Sequence, residues 1–285
     1  MKTAVLRFVW LGLPLLVWAQ VARATEGAVA PAPASALYEF GIFGALAWLP
    51  DYPGSDQGRS RILILPGARY RGAILRSSED EGMAARLLAR SSVRLNFSLA
   101  GSFPADSEKN RARDGMADLD WLGEAGPQFL VLLHREPRQR SVVFEAPIRH
   151  MFSTDFGRLR AHGWVFAPGI LWREQNVLDK DLETFLEIQA SWATEGVHSY
   201  FYHVSAADAR ADRPEHLARA GYLGANLLGG WIYRTPTNQW FAGFQLSSHH
   251  GAANQNSALH RSDWGVAFYV GAGRWLFESD ARGVD

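Results

Sequence analysis

Apolar and polar residues alternate with a period of two along several stretches of this chain. From Ser92 to Leu99, Val93, Leu95, Phe97 and Leu99 share one face; Ser92, Arg94, Asn96 and Ser98 share the other. That is the pattern of a β-strand. Tyr38 to Trp48 repeats it, with Tyr38, Phe40, Ile42, Leu46 and Trp48 opposite Glu39, Gly41, Ala45 and Ala47. Between Leu182 and Trp192, Leu182, Leu186, Ile188 and Trp192 oppose Glu183, Glu187, Gln189 and Ser191, with Phe185 out of phase. Trp240, Ala242, Phe244 and Leu246 face away from Gln245 and Ser247. Trp264, Val266, Phe268 and Val270 oppose Gly265, Ala267, Gly271 and Gly273, joined by Tyr269. Asp80 to Arg90 fits a short helix or a strand equally well. No long amphipathic helix and no fixed-period repeat is found.

Alternation alone fits two architectures. A soluble β-sandwich turns its apolar face inward; a transmembrane β-barrel turns it to lipid. Length favours the barrel, because several segments reach the ten or so residues that a tilted strand needs to cross a bilayer. Their ends carry aromatics: Tyr38 and Trp48, Trp164 and Trp172, Trp231 and Tyr233, Trp264 and Trp275. Such pairs read as the aromatic girdles of a barrel, although aromatics are also good strand residues wherever they occur. Composition points the same way: 11 Trp, 16 Phe, 8 Tyr and 27 Gly supply girdles and a narrow interior, and no cysteine supplies disulfides. Ala105 to Asp118, Ala206 to His216 and His249 to Asp263 are polar and read as surface loops.

The N-terminus places the chain outside the cytoplasm. Lys2 and Arg7 precede an apolar block from Phe8 to Ala19, and Ala22-Arg23-Ala24 offers small residues for cleavage. This is the layout of a cleaved signal peptide, residues 1–24, too short for a comfortable membrane span. Its removal takes three basic residues from 29 and leaves 29 acidic ones, a net charge of −3. That excludes a basic footprint for nucleic acid. No later apolar run approaches about 20 residues, which excludes an inner-membrane helical protein. The expected organisation is an Ala/Pro-rich disordered tether at 25–36, one all-β antiparallel transmembrane barrel at 37–277, and a tail at 278–285. At about 20 residues per strand and connection the barrel has about 12 strands, with ten the next choice.

Pro50, Asp51, Tyr52, Pro53, Gly54 and Ser55 follow the first strand, then Arg61 to Pro66, then Tyr70-Arg71-Gly72. This Pro-Asp-Tyr-Pro-Gly-Ser turn, Leu-Pro strand and Tyr-Arg-Gly exit resemble the opening of the MipA/OmpV family of outer-membrane proteins. Later segments are similar in the family's order: Asp118 to Asp120 with Gly126-Pro127, a strand at Tyr200 to Ser205, and the Gly251 to Ala258 loop. His203 and Asn256 to Ala258 depart from the family pattern, and the chain continues for eight residues beyond Phe277. The resemblance implies a non-catalytic scaffold of the Gram-negative outer membrane. It would sit in outer-membrane lipid and join a periplasmic murein transglycosylase to a peptidoglycan synthase. A small-solute channel, a surface adhesin and a lipid-modifying hydrolase are the alternatives.

The chemistry in the chain is sparse. There is no phosphate loop, zinc-helix motif or nucleophile elbow, so no catalytic residue, metal ligand or cofactor is assigned. In the family turn, Pro53 fixes φ and Gly54 permits a left-handed conformation, which reads as a type II turn. Asp51 and Ser55 are placed to bond its backbone, and a binding role for Asp51, Tyr52 and Ser55 is the alternative. His249 and His250 are adjacent, so both reach one metal only in an irregular loop. Ser247 with His249, and His203 with Ser205, are i, i+2 pairs of the kind a hydrolase would need. Glu183, Glu187 and Gln189, with Arg94 and Arg149 elsewhere, suggest a charged lumen locked shut rather than an open pore.

Overall fold

The computed structural model describes residues 36–281 except 72–74, 79–81, 86–88, 91, 137–139, 176 and 178–180. The expected signal peptide, the expected tether up to residue 35 and residues 282–285 of the expected tail lie outside the described residues.

Fourteen β-segments make one antiparallel sheet. In chain order they are β1 (Tyr38–Pro50), β2 (Gly58–Arg71), β3 (Leu75–Ser78), β4 (Gly82–Ala85), β5 (Ala89–Arg90), β6 (Val93–Ser102) and β7 (Trp121–Glu136). There follow β8 (Arg140–Thr154), β9 (Leu159–Phe166), β10 (Gly169–Gln175), β11 (Leu182–Ala193), β12 (Gly221–Arg234), β13 (Asn238–Ser248) and β14 (Trp264–Glu278). Two pairs of segments share a position. β9 and β10 both lie between β8 and β11, one after the other, interrupted at Ala167 and Pro168. β5 pairs with β6, and β4 packs beside the same strand farther along. Fourteen segments thus make twelve strand positions, and the two ends of the sheet meet between β4 and β6. β14 pairs with β1, so the first and last strands lie together. This is the 12-stranded antiparallel barrel that the strand spacing leads one to expect, with strand rather than helix at the described parts of Asp80 to Arg90.

The two faces fall as a membrane barrel requires. Phe40, Ile42, Leu46, Phe97, Ile188, Phe268 and Val270 are exposed on the outside, whereas Asn96, Ser98, Glu183, Glu187 and Ser191 are buried inside. In water this inversion would be costly; in a bilayer it buries apolar surface in hydrocarbon and keeps polar groups from it. Phe185 is out of phase because it points inward beside Glu183 and Glu187. Of the expected girdle residues, Tyr38, Trp48, Trp164, Trp231, Tyr233 and Trp264 are exposed. Trp275 is not a girdle residue. It takes the inner face and meets Phe43 edge-on, with ring centroids 5.0 Å apart. Phe277 stands at the rim instead, stacked on Tyr38 at 6.0 Å.

The lumen is filled from its own walls. Leu171, Phe185, Leu228, Ile232, Phe241 and Tyr269 form an interior cluster. Glycines opposite the rings make this possible: a methyl at Gly273 would land in the Phe43 ring, and one at Gly271 in the Phe241 ring. Small wall residues therefore accept large lumenal ones, as packing a narrow barrel demands.

Connections differ between the two ends. One end has short turns and both described termini, with Leu37 N–H bonded to the Ala281 carbonyl at 2.7 Å. The other end carries the segments 51–57, 103–120, 155–158, 194–220 and 249–263. Outer-membrane barrels have short periplasmic turns and longer outer loops, so the long-loop end is the outer one. A helix, α1 (Glu195–Tyr202), lies in the fourth of these loops. Tyr200 to Ser205, expected as a strand, is thus the end of a helix followed by a short extended stretch, in which Val204 makes one isolated antiparallel bridge with His216. The reason is local: Val197, His198, Phe201 and Tyr202 are buried, a helical stripe rather than an alternation. Glu195 in the first turn complements the helix dipole.

Candidate functional site

The outer loops are packed, and the family turn lies among them. Ser55 N–H donates to the Tyr52 carbonyl at 3.1 Å, and Gly54 has φ +78°. That is a type II turn with Pro53 and Gly54 at its centre, in which the left-handed corner requires glycine. The Gly54 carbonyl accepts from Arg261 and Ser262 N–H at 2.8 and 3.0 Å, tying the turn to the β13–β14 loop.

The side chains extend this tie to every large loop. Asp51 accepts from Arg59 Nε and Nη2 at 2.7 and 2.8 Å, and from Asn110 Nδ2 at 2.9 Å. Asn110, in the β6–β7 loop, also donates to Ser55 Oγ at 3.2 Å. Tyr52 Oη donates to the Leu259 carbonyl at 2.8 Å. Tyr202, on α1, donates to the Pro53 carbonyl at 3.0 Å, and its own carbonyl accepts from Ser257 Oγ at 2.8 Å. Around these bonds Leu119, Val197, Phe201, Val204 and Leu259 pack as an apolar cluster. Four loops thus meet on one turn.

Burial sets the electrostatics of this cap. It pushes the Tyr52 phenol up to about 12, against a smaller opposing pull from Arg113, whose guanidinium lies 5.8 Å from the Tyr52 ring centre. Burial likewise raises Tyr202, and lowers Arg113 despite the neighbouring Tyr52 and Tyr200 phenols. His198 and His249 are held below the usual imidazole range, again by burial first. Neutral rings and neutral phenols are what a closed apolar cap permits.

The sites expected from the sequence separate here. Asp51, Tyr52 and Ser55 are brought together, all buried, with their polar atoms turned to neighbouring loops. His249 and His250 diverge: His249 is buried against the Leu223 carbonyl at 3.1 Å, while the His250 side chain is 79% exposed. Among the described residues no group of three or more His, Asp or Glu is placed to hold a metal. Ser247 Oγ donates to Asn226 at 2.7 Å rather than meeting His249. Ser205 Oγ bonds Asp208 at 2.6 Å rather than His203. One Ser–His contact escaped sequence reasoning. His162 Nε2 lies 2.9 Å from Ser153 Oγ, across the β8–β9 hairpin, with the His162 and Tyr200 ring centres 4.4 Å apart. Ser153 is 0% exposed, so no substrate reaches its hydroxyl.

Below the cap, the lumenal charges pair. Glu183 meets Arg173 at 3.1 Å and Arg234 at 2.8 Å. Arg149 pairs with Glu124 at 2.8 Å and donates to Ser98 Oγ at 3.3 Å. Gln128 donates to Glu145 at 2.8 Å, and Gln189 to Glu187 at 3.2 Å. Arg94 occupies the same inner face of β6 as Asn96 and Ser98. Sequence reading found Glu183, Glu187 and Arg149 but not Arg173, although Arg173 alternates with Ile170 and Trp172 along β10 and so carried the signal.

No curated protein matches the chain. Among solved structures it is similar to a bacterial polysaccharide outer membrane secretin, with TM-score 0.40 and 10% identity over 87% of this chain and 100% of that one. It is also similar to an outer membrane channel from Pseudomonas putida F1, with TM-score 0.41 and 10% identity over 89% of this chain and 100% of that one. A barrel of the outer membrane, closed by loops that meet on the Pro50 to Ser55 turn, is joined by a family match over nearly its whole length: the model of the MltA-interacting protein MipA family spans residues 42–275, and the chain belongs to that family.

Proposed function

We propose that this outer-membrane barrel is a non-catalytic scaffold that holds a murein transglycosylase and a peptidoglycan synthase together at its periplasmic end. The observation that carries this reading is the filled lumen. Glu145, Arg173, Glu183 and Glu187 are each no more than 3% exposed, in a barrel whose inner wall would be wet if a pore ran through it. A barrel closed by paired charges and aromatic rings offers surface and location rather than a path. The family's description, an MltA-interacting protein, supports the choice of partner. The Pro50 to Ser55 turn is a structural keystone of the outer cap rather than a contact for the murein enzymes, since its polar groups are spent on other loops. Residues 1–24 would be the cleaved signal, leaving 25–36 as a tether at the end where Leu37 and Ala281 meet.

The test is affinity capture of the tagged full-length protein from detergent-solubilised envelopes. Recovery of both a transglycosylase and a synthase, lost when residues 25–35 are removed with the signal kept or when the short turns are altered, supports the scaffold. Recovery of neither, together with sustained conductance in planar bilayers, overturns it in favour of a channel.

A further inference from the structure

A charge stands on the lipid-facing wall of this barrel without a counter-charge. Along β14, Phe268 and Val270 face outward, whereas Ala267 and Tyr269 are buried inside. Continued toward the C-terminus, that alternation puts Ala272 and Arg274 on the outer face, and both are exposed. The pairing agrees. Arg274 is opposite the outward Ile42 on β1, and opposite Asn238 on β13, two residues before the outward Trp240. Its guanidinium has no hydrogen-bond or ion-pair partner among the described residues. Arg140 of β8, at the same end of the barrel, shares the outward face with Ile148, but Glu174 meets it at 3.2 Å and Glu136 at 3.9 Å. Arg274 has no such neighbour.

The register fixes its depth. Tyr38 marks the periplasmic girdle on β1, and its carbonyl accepts from Ser279 N–H at 2.9 Å. Trp240 marks the same girdle on β13, opposite Ala272 and with its ring centre 5.6 Å from that of Tyr233. Strands of a barrel are tilted and staggered, so one height meets neighbouring strands at different register positions. The girdle therefore crosses β14 between Ala272 and Ser279, and Arg274 lies inside that interval. Ile42, Trp240 and Leu276 surround it with exposed apolar surface. The Asn238 amide shares its face; Nδ2 spends one hydrogen on Thr237 Oγ1 at 3.2 Å and keeps a second to donate.

We propose that Arg274, with Asn238 beside it, seats the phosphate of one phospholipid in the periplasmic leaflet. A charge on the lipid face of a barrel is costly in hydrocarbon and tolerated at the interface, where an arginine lays its stem along apolar wall and carries its head to the polar layer. What that layer offers at this height is phosphodiester. A guanidinium binds phosphate oxygens through two parallel N–H bonds, and without a protein carboxylate nothing competes for its fork. The rings of Trp240 and Tyr233 then stand at the level of the glycerol, and Ile42 and Val270 line the wall where the acyl chains descend. The occupant is a phospholipid rather than free phosphate, because the apolar surround favours a phosphate that brings chains with it. The proposal stands apart from the scaffold reading, which concerns the periplasmic turns and not the wall.

The experiment is native mass spectrometry of the full-length protein in detergent with added dimyristoyl phosphatidylglycerol, with dimyristoylglycerol and inorganic phosphate as separate arms. One phosphatidylglycerol is expected to be retained per barrel. Arg274→Gln should lower its affinity about tenfold or more, the scale of a charge-assisted bond. Ile42→Glu keeps the guanidinium and sets a carboxylate directly across from it, within cross-strand reach, so it should displace the phosphate and lower retention as well. It decides the matter if Arg274→Gln fails to fold. Arg210→Gln, at an exposed pair with Asp114 in the outer loops, should leave retention unchanged. Equal retention of dimyristoylglycerol, displacement of the lipid by inorganic phosphate alone, or retention indifferent to both wall variants would each overturn the proposal.

Discussion

Asp51→Ala tests whether one turn really governs the outer cap. The Asp51 side chain is fully buried and accepts three bonds, two from Arg59 and one from Asn110. Removing one member of a buried ion pair costs about 3–5 kcal/mol, mostly because the other charge is stranded. The Arg59 side chain is 22% exposed and can turn to water, which brings the expected cost to about 2–3 kcal/mol. Most of that falls on the cap, because β1 and β2 remain paired beneath it from Gly58 to Tyr70. Local opening of the loops should then rise about 30- to 150-fold. Hydrogen exchange of the purified barrel in micelles reads this directly, as faster exchange in 103–120 and 249–263 with the barrel strands unchanged. Asp56→Ala serves as the control, since among the described residues Asp56 is ion-paired with an Arg111 that is 78% exposed. If the loops exchange within about threefold of wild type, or if strands and loops speed up together, the turn is not a local keystone and the reasoning fails.

Other outcomes follow from the same geometry. Tyr202→Phe deletes the bond to the Pro53 carbonyl and should destabilise the cap by about 1 kcal/mol, seen as a smaller rise in the same loop exchange. Glu183→Gln removes the carboxylate that both Arg173 and Arg234 meet, and should lower the temperature at which the barrel loses its folded mobility on SDS gels, by a cost of about 3 kcal/mol. Gly273→Ala drives a methyl into the Phe43 ring and should impair folding, with Phe43→Leu restoring it; refolding yields check both. Burial holds His249 and His198 below the reference value of 6.5. Above that value both open and closed loops carry neutral rings; below it the opened loop takes protons that the closed cap refuses. Cap stability should therefore fall as pH drops from 6.5 toward the depressed values, and the double variant His198→Gln, His249→Gln should flatten the slope.

What the sequence made legible, and what it hid, divides along the same physical line. Strand periodicity depends on the residue and its near neighbours, so Val93 to Leu99 and Leu182 to Trp192 read directly. The fate of Trp275 depends on which strand lies beside it, β1 with Phe43, some 230 residues away in sequence, and local pattern places it only as one more terminal aromatic. The helix at Glu195–Tyr202 was obscured for another reason: at eight residues it is too short for its period to stand out beside aromatic neighbours that also suit strands. The Pro50 to Ser55 turn was readable as a turn, since Pro53 and Gly54 dictate one. Its partners, Asn110, Tyr202, Leu259 and Arg261, were not, because they converge from three other loops.

The deepest ambiguity lay in the sign of the alternation, and it is resolved by what stands opposite the apolar face. In a soluble sandwich the polar face meets water and has no need of internal pairing. Here the polar face includes Glu183, Arg173 and Arg234, which find one another across β10, β11 and β12, and Arg149, which finds Glu124 across β7 and β8. Charges that pair with one another across strands are charges withdrawn from water, so the face that carries them is the inside. The glycines argue likewise. Gly271 and Gly273 share the inner face of β14 with Tyr269 and lie under Phe241 and Phe43. On a water-facing surface such glycines would only weaken the strand; inside a narrow barrel they make the room that the rings fill. Alternation of large apolar residues with a face of paired charges and glycines is thus the pattern of a closed membrane barrel, and neither feature carries that inference without the other.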